Sequence, residues 1–468
     1  MSCFKFDLFF YATLLFFSIF VLSHQSTVFL FEHFRHGARS TSKLLANFTD
    51  IFNQTWQGDS ELTNVGLRQH FILGMHIKNL YTEFINSLDV SKDVLVLSSK
   101  SNRTIMSAIA QLQGIYYNGG SPTIDNITEE QLVHAVPPFI NKNEALLAEH
   151  EKLGLNVFPG SIDITPPVHI IHTKDKVFQF EKNDGCDGIK QARKLNENKK
   201  EVRDFITKYN QKYSRQLLQI LNIPQDDCFK KLDNIGKVSI TLIANVVDGR
   251  NLTSLFANSG INEQELLESS YEYYNIYAKH VLSNDTNNEL ALASSSVLMR
   301  QVLSYMQDVI DQRNKNITMD DNNKSIPKMV LLSGHDSTLV GMQDFLRVAF
   351  GMNVSFPKFA SYLFIELKND GQTYNVRITF NNNENEKIEI PYDEFKTKIE
   401  QTAWTFEETG YYCRFLYKQL NIFKPSTIIF AIAIGVIIVI MLFLKLKHSF
   451  TKHPLTGIDA VKNEPLVQ

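Results

Sequence analysis

Residues Thr27–Thr41 read TVFLFEHFRHGARST, and the fold expectation grows outward from them. Val28, Phe29, Leu30 and Phe31 form a short apolar, β-prone run of the kind that becomes a buried strand. Polarity then rises within a few residues, through Arg35, His36, Gly37, Ala38, Arg39 and Ser40. Gly37 removes a side chain where the chain must turn, and Ser40 or Thr41 is placed to cap a following helix. A strand, a tight turn and a helix N-terminus leave backbone N–H groups facing outward, ready for an anion. Two guanidiniums add fork-shaped donors suited to phosphate oxygens, and an imidazole between them can attack as a nucleophile. Alone, the segment reads equally well as a solvated turn.

The same arrangement recurs twice. Asp93–Ser98 (DVLVLS) is a second buried strand, running into Ser99, Arg103 and Thr104 and then a helix with Ile105, Ile109, Leu112 and Tyr116 on one face. Lys328–Leu332 (KMVLL) is a third, ending in Ser333-Gly334-His335-Asp336 before a helix that begins near Leu339. Between the first two strands, Thr63 is expected to cap a helix over roughly 64–85. From about 121 to 290 strand signals thin out and helical periodicities dominate, as in Val202, Phe205, Tyr209, Tyr213 and Leu217. Val238–Val247 suits either a strand or a buried helix. Tyr362–Leu367 and Tyr374–Phe380 read as a hairpin around Asn369-Asp370-Gly371. Strands alternating with helices argue an α/β fold: a Rossmann-like, mostly parallel sheet flanked by helices, with a smaller, mainly helical inserted domain. Ligands of open α/β sheets sit beyond the carboxyl ends of the strands, where all three polar clusters fall. One pocket can therefore collect Arg35, His36, Arg39, Arg103, His335 and Asp336.

The ends of the chain set an address. Residues 8–23 form an apolar run behind Lys5, read as part of a signal peptide over 1–23, with an uncleaved anchor as the alternative. Ser426–Leu444 is uncharged and of membrane-spanning length, with Lys445, Lys447 and Lys452 directly after it. Together they predict a type I single-pass membrane protein, its body lumenal or extracellular and its tail, 445–468, cytosolic. Cell surface and endolysosomal membranes both fit. Asn47, Asn53, Asn126, Asn251, Asn284, Asn316, Asn323 and Asn353 all begin N-x-S/T between the two apolar runs and are glycosylation candidates. Asn102 also heads such a triplet but is expected to stay bare beside Arg103. A net charge of −3 gives no support to nucleic-acid binding. Without Cys3, three cysteines remain (Cys186, Cys228 and Cys413), enough for one disulfide and a spare thiol, at spacings unlike a zinc site.

Three arginines around a histidine suit phosphate better than a carboxylate. His36 would attack phosphorus in line, while Arg35, Arg39, Arg103 and His335 hold the equatorial oxygens. Asp336 would protonate the departing oxygen and then help activate water, which favours acidic conditions. No metal or cofactor is called for, since the arginines supply the positive field.

These residues carry a family resemblance. The chain resembles the histidine acid phosphatases, which have an R-H-G-x-R nucleophile motif, here Arg35–Arg39, and a late H-D pair, here His335-Asp336. Arg103, within Asn102–Ala108, is similar to that family's third phosphate-binding arginine, and Glu61–Gln69 resembles the segment after its first motif. The resemblance implies a phosphomonoester substrate, a phosphohistidine intermediate on His36, and a core from 24–120 and 291–420 beneath a cap from 121–290. Its lysosomal and membrane-bound members are the most similar in layout. By position in the family, Cys186 and Cys413 look like a disulfide pair, and Cys228 lacks an evident partner. A catalytically silent ectodomain on this fold would be expected to lose His36, Arg103 or Asp336, and none is lost. A phosphoglycerate-type mutase would not need the signal peptide or the sequons. An inositol-polyphosphate or lipid-phosphate specialist of the same mechanism stays open, as does a homodimer.

Overall fold

The computed structural model describes residues 25–41, 59–118, 126–137, 140, 144–155, 166–171, 186–221, 228–283, 287–315 and 325–422. Its centre is a seven-stranded sheet. In chain order the strands are β1 (Ser26–Arg35), β2 (Val94–Ser98), β3 (Val168–Ile170), β4 (Met329–Gly334), β5 (Tyr362–Asn369), β6 (Tyr374–Phe380) and β7 (Ile388–Pro391). Across the sheet the order is β3-β2-β4-β1-β5-β6-β7.

β4 pairs parallel with both β1 and β2, setting Phe34 beside Ser333 and Ser98 beside Ser333 on its other side. The three polar clusters thus leave the sheet at one edge. The expectation of a mostly parallel sheet is corrected: β5, β6 and β7 all run antiparallel, so the sheet is mixed. The reason lies after β4. A helix over Asp336–Phe350 carries the chain away from the polar edge, and residues 351–361 return to it, where Ser361 O accepts the Arg35 N–H. The next strand must then descend beside β1. A short hairpin, with Gly371 at φ +92°, reverses it again.

Helices cover both faces. α1 (Asn64–Leu80) and α2 (Asn102–Ile115) pack Phe71, Ile72 and Leu112 against Leu30 and Phe34 of β1. On the opposite face α7 (Glu289–Lys315) and α8 (Asp336–Phe350) set Met299, Val302 and Phe345 against Phe29 and Phe31. A strand buried on both sides needs a continuous apolar run, which is what β1 has through Phe31.

Between β3 and α7 lie α3 (Asp187–Asn196), α4 (Lys200–Tyr209), α5 (Leu232–Val247) and α6 (Glu263–Ile276). Val238–Val247 is therefore helical. α4, α5 and α6 share their own apolar core, with Val202, Phe205, Ile235, Val238 and Leu266, which reaches Ala38, Val65 and Phe359 at the polar edge. The inserted stretch also supplies β3 to the edge of the main sheet. After β7 come α9 (Tyr392–Thr402) and α10 (Phe406–Ile422). A disulfide joins Cys186, just before α3, to Cys413 in α10. Met1–Cys413 is one compact unit; of the second, Arg414–Gln468, the described part is helical backbone.

The transmembrane part of the fold expectation is corrected as well. Among the described residues no helix is long and apolar enough to cross a membrane. The span placed at 426–444 lies outside them, as do the signal peptide 1–23 and the tail 445–468. The fold described is an α/β one with no membrane helix.

Candidate active site

Arg35 closes β1, and its side chain is almost wholly buried. One guanidinium nitrogen donates to Pro357 O at 2.7 Å, and the other meets the Asp336 carboxylate at 2.9 Å. The guanidinium also lies over the rings of Phe356 and Phe359, at 5.1 and 4.3 Å, so its position is fixed on several sides.

His36 follows at the turn. Its Nδ1 donates to Gly37 O at 2.8 Å, which leaves the Nε2 lone pair as the ring's basic position. Burial pushes the imidazole well below its usual pKa, and the charges of Arg35, Arg103, His335 and Arg39 push the same way. His36 is thus a neutral imidazole with one available nitrogen, in acid as well as at pH 7.

The turn lies flat on the start of α1. A Cβ at Gly37 would come 2.4 Å from Gly66 O, and one at Gly66 would come 2.1 Å from Ala38 O, so neither position admits a side chain. Thr63 caps α1 by accepting from Gly66 N. Gln69, a turn further, accepts from Ala38 N at 2.8 Å, and Ser107 of α2 accepts from Gly37 N at 3.1 Å. The helix that Ser40 or Thr41 is placed to cap would lie outside the described residues. Arg39 bridges to Leu62, and Ser40 Oγ accepts from Glu61 N.

Arg103 stands in the first turn of α2 and reaches His335 Nδ1 at 3.3 Å. The other ring nitrogen of His335 meets Ser99 Oγ at 2.9 Å. Both ring nitrogens of His335 are thus within reach of a neighbour, Nδ1 of Arg103 and Nε2 of Ser99. The rings of His36 and His335 are 5.6 Å apart, edge to face. Burial lowers Arg39 to about 10, with Arg103 the next contributor, and burial also lowers Arg103. Guanidiniums gathered this closely repel one another, and an anion among them relieves that repulsion.

Asp336 opens α8, with the Ser337 N–H donating to its Oδ1 at 2.7 Å. Burial raises this carboxyl, but the charges of Arg35, His335 and Arg39 outweigh it, and the net shift is downward. All six residues named from sequence therefore meet at the carboxyl ends of β1, β2 and β4. Cys186 and Cys413 lie apart from them. Of the sequon asparagines, Asn126, Asn251 and Asn353 are exposed, and the other five lie outside the described residues. Asn102, also exposed, donates to Glu61 Oε2 at 2.6 Å.

The family assignment follows from the length of the match. The description "Histidine phosphatase superfamily (branch 2)" fits residues 29–381. The chain belongs to this superfamily. Among its relatives, the prostatic acid phosphatase of Bos taurus is 23% identical over 373 residues, which cover 75% of this chain and 76% of that one. The human lysosomal acid phosphatase is 24% identical over 364 residues, covering 76% and 71%. The solved phytase of Citrobacter braakii superposes with a TM-score of 0.50 at 13% identity, over 81% of this chain and 98% of that one, a likeness of fold. The superfamily's R-H-G-x-R and H-D signatures are the residues that converge here.

Sequence reasoning missed the residues that hold this histidine phosphatase site in place. Glu32, one of two ionisable residues in the core of β1, is fully buried; Gln111 bridges it to His70 Nδ1, and His70 Nε2 reaches Arg35 O at 3.1 Å. Burial raises Glu32 and lowers His70 to about 4. Gln111 donates through Nε2 to Glu32 Oε2, and its Oε1 faces His70 Nδ1. The polar letters inside an apolar strand were the available signal. Arg193 of α3 was also missed; it is buried, and its charge is felt by Tyr277 and Asp336. It sits in a charge-dense stretch that reads as solvated.

Proposed function

We propose that this chain is an acid phosphatase that passes the phosphoryl group of a phosphate monoester to His36 and then to water. Its curated relatives include prostatic and lysosomal acid phosphatases, which supports the reading. The observation that carries the reading is geometric: His36, its Nδ1 engaged by Gly37 O, stands beside His335 with Arg35, Arg103 and Asp336 gathered at the same strand ends.

In the first step Nε2 bonds to phosphorus, the ester P–O bond breaks, and Asp336 gives its proton to the departing alcohol oxygen. Arg35, Arg39, Arg103 and His335 hold the equatorial oxygens. In the second step water attacks phosphorus, the Asp336 carboxylate takes its proton, and the P–N bond breaks to release inorganic phosphate. Before substrate binds, Asp336 is paired with Arg35. An arriving phosphate competes for that guanidinium and brings negative charge, which raises Asp336 toward the protonated form the first step requires. The helices within 121–290 act as a cap whose core closes on Ala38 and Phe359. Similarity to lysosomal and prostatic acid phosphatases supports a lumenal or secreted address.

Rapid acid-free denaturation during turnover of a radiolabelled monoester tests the scheme. Label that stays on the protein in alkali, leaves in acid, and is absent from His36→Ala is the expected result. Full turnover with no labelled protein would mean direct attack by water.

A further inference from the structure

A second compartment adjoins the phosphate cage and differs from it in chemistry. It is a cavity of about 230 Å³. Ile240, Ile243 and Val247 of α5 form one wall, and Tyr274 of α6, Phe356 and Phe359 form the other. Tyr274 and Phe356 stack at 4.2 Å, so that wall is a continuous aromatic surface. Two of its residues also belong to the reaction centre. Arg35 lines the cavity while pairing with Asp336, and the Phe359 ring lies 5.9 Å from that of His36. A phosphate held by the arginines thus has this cavity beside it.

We infer that the cavity receives the alcohol portion of the substrate and selects a monoester whose alcohol carries one aromatic ring. The inference rests on the phosphatase reading above and narrows its substrate. An apolar cavity of about 150 Å³ is filled by a benzene-sized ligand, so 230 Å³ takes one ring with its linking carbon. Charge argues the same way. Arg35 and Lys358 are the cations among the described residues that line it, and Lys358 lies over the Tyr271 ring at 5.4 Å. A sugar or cyclitol bearing several phosphates would set most of its anionic groups against isoleucine, valine and aromatic rings, with Lys358 the one lysine, beside Gln69 and His134, among the described residues lining the cavity.

The test compares benzyl phosphate with glycerol 3-phosphate, both esters of primary alcohols, and adds myo-inositol hexakisphosphate, all with the full-length protein. Benzyl phosphate is expected to have the higher kcat/KM, by roughly 10- to 100-fold over glycerol 3-phosphate. Ile243→Trp, which fills the cavity, is expected to cut that ratio about tenfold or more. Val133→Lys is the second variant: Val133 lines the cavity yet is 79% exposed, so a lysine there is tolerated by the fold. It is expected to narrow the ratio by weakening the benzyl ester. Equal kcat/KM for the two small esters, a higher value for the hexakisphosphate, or a ratio unmoved by both variants would each overturn the inference. If no ester is hydrolysed and His36 takes no label, the phosphatase reading itself has failed.

Discussion

His36 shows how one set of charges does two jobs. Burial, and after it the guanidiniums that would hold phosphate, disfavour a proton on His36, the proposed nucleophile. Asp336 faces the opposite demand, because it needs a proton at the moment the alcohol leaves. Its carboxyl is held below the usual range in the free enzyme, where burial is outweighed by Arg35, His335 and Arg39. The alkaline limb of kcat/KM, which reports the free enzyme, should therefore lie at lower pH than that of kcat, which reports the substrate complex. Asp336→Asn should slow esters of poor leaving groups roughly 100-fold or more, and good ones much less. Equal slowing of both, across a pH series with matched esters, would remove Asp336 from the proton-donor role. These six residues were legible because each falls where an apolar run stops. The geometry around them was not. Nothing local in the sequence announces that Arg35 is held by Pro357 O, since that depends on how the chain over 351–361 returns.

At the scale of elements, the crossing of α1 and α2 sets the site. A Cβ at Gly74 would come 2.0 Å from Gln111 O, and one at Gly114 would come 2.0 Å from Phe71 O, so the two backbones touch. Gln69 and His70 ride on one helix; Arg103, Ser107 and Gln111 ride on the other. Gly74→Ala should cost about 1–3 kcal/mol of stability, read from urea midpoints. Because it moves Arg103 relative to the turn, it should also lower kcat/KM; full activity in a destabilised variant would show that the crossing serves the fold alone. Helix positions were readable from their periodicity, and Thr63 was readable as a cap. The expected helix over 64–85 breaks at Tyr81, between Leu80 and Thr82. The direction of β5 was not readable, because alternation of apolar residues is the same in either direction. Val238–Val247 was ambiguous because β-branched residues fill a buried helix as readily as a strand.

The whole molecule carries buried imidazoles as well as the catalytic one. Burial lowers His33 to about 3 and His70, His76 and His150 to about 4. Below about pH 6.5 the unfolded chain takes up protons at these positions while the folded chain does not, so stability falls as pH drops from there toward 4. Glu32 and Glu366, both raised by burial, act in the other direction: the stability they cost near neutrality returns as pH falls toward their unfolded values near 4.5. Among the described residues neither ring nitrogen of His76 finds a hydrogen-bond partner. His76→Leu should therefore stabilise the protein by about 1–3 kcal/mol. It should also make the loss between pH 6.5 and 4 shallower, by up to about 1.4 kcal/mol per pH unit. Urea midpoints at pH 7 and 5 that fall by the same amount in both proteins would exclude His76 as a contributor.

The sheet order has a consequence for when the enzyme comes alive. β4, translated long after β1 and β2, is the strand that lies between them. Until it emerges from the ribosome and inserts, β1 and β2 are not joined in the sheet, and His335 and Asp336 do not yet exist. A nascent chain is therefore catalytically mute for most of its synthesis, and competence arrives in one late, long-range folding event.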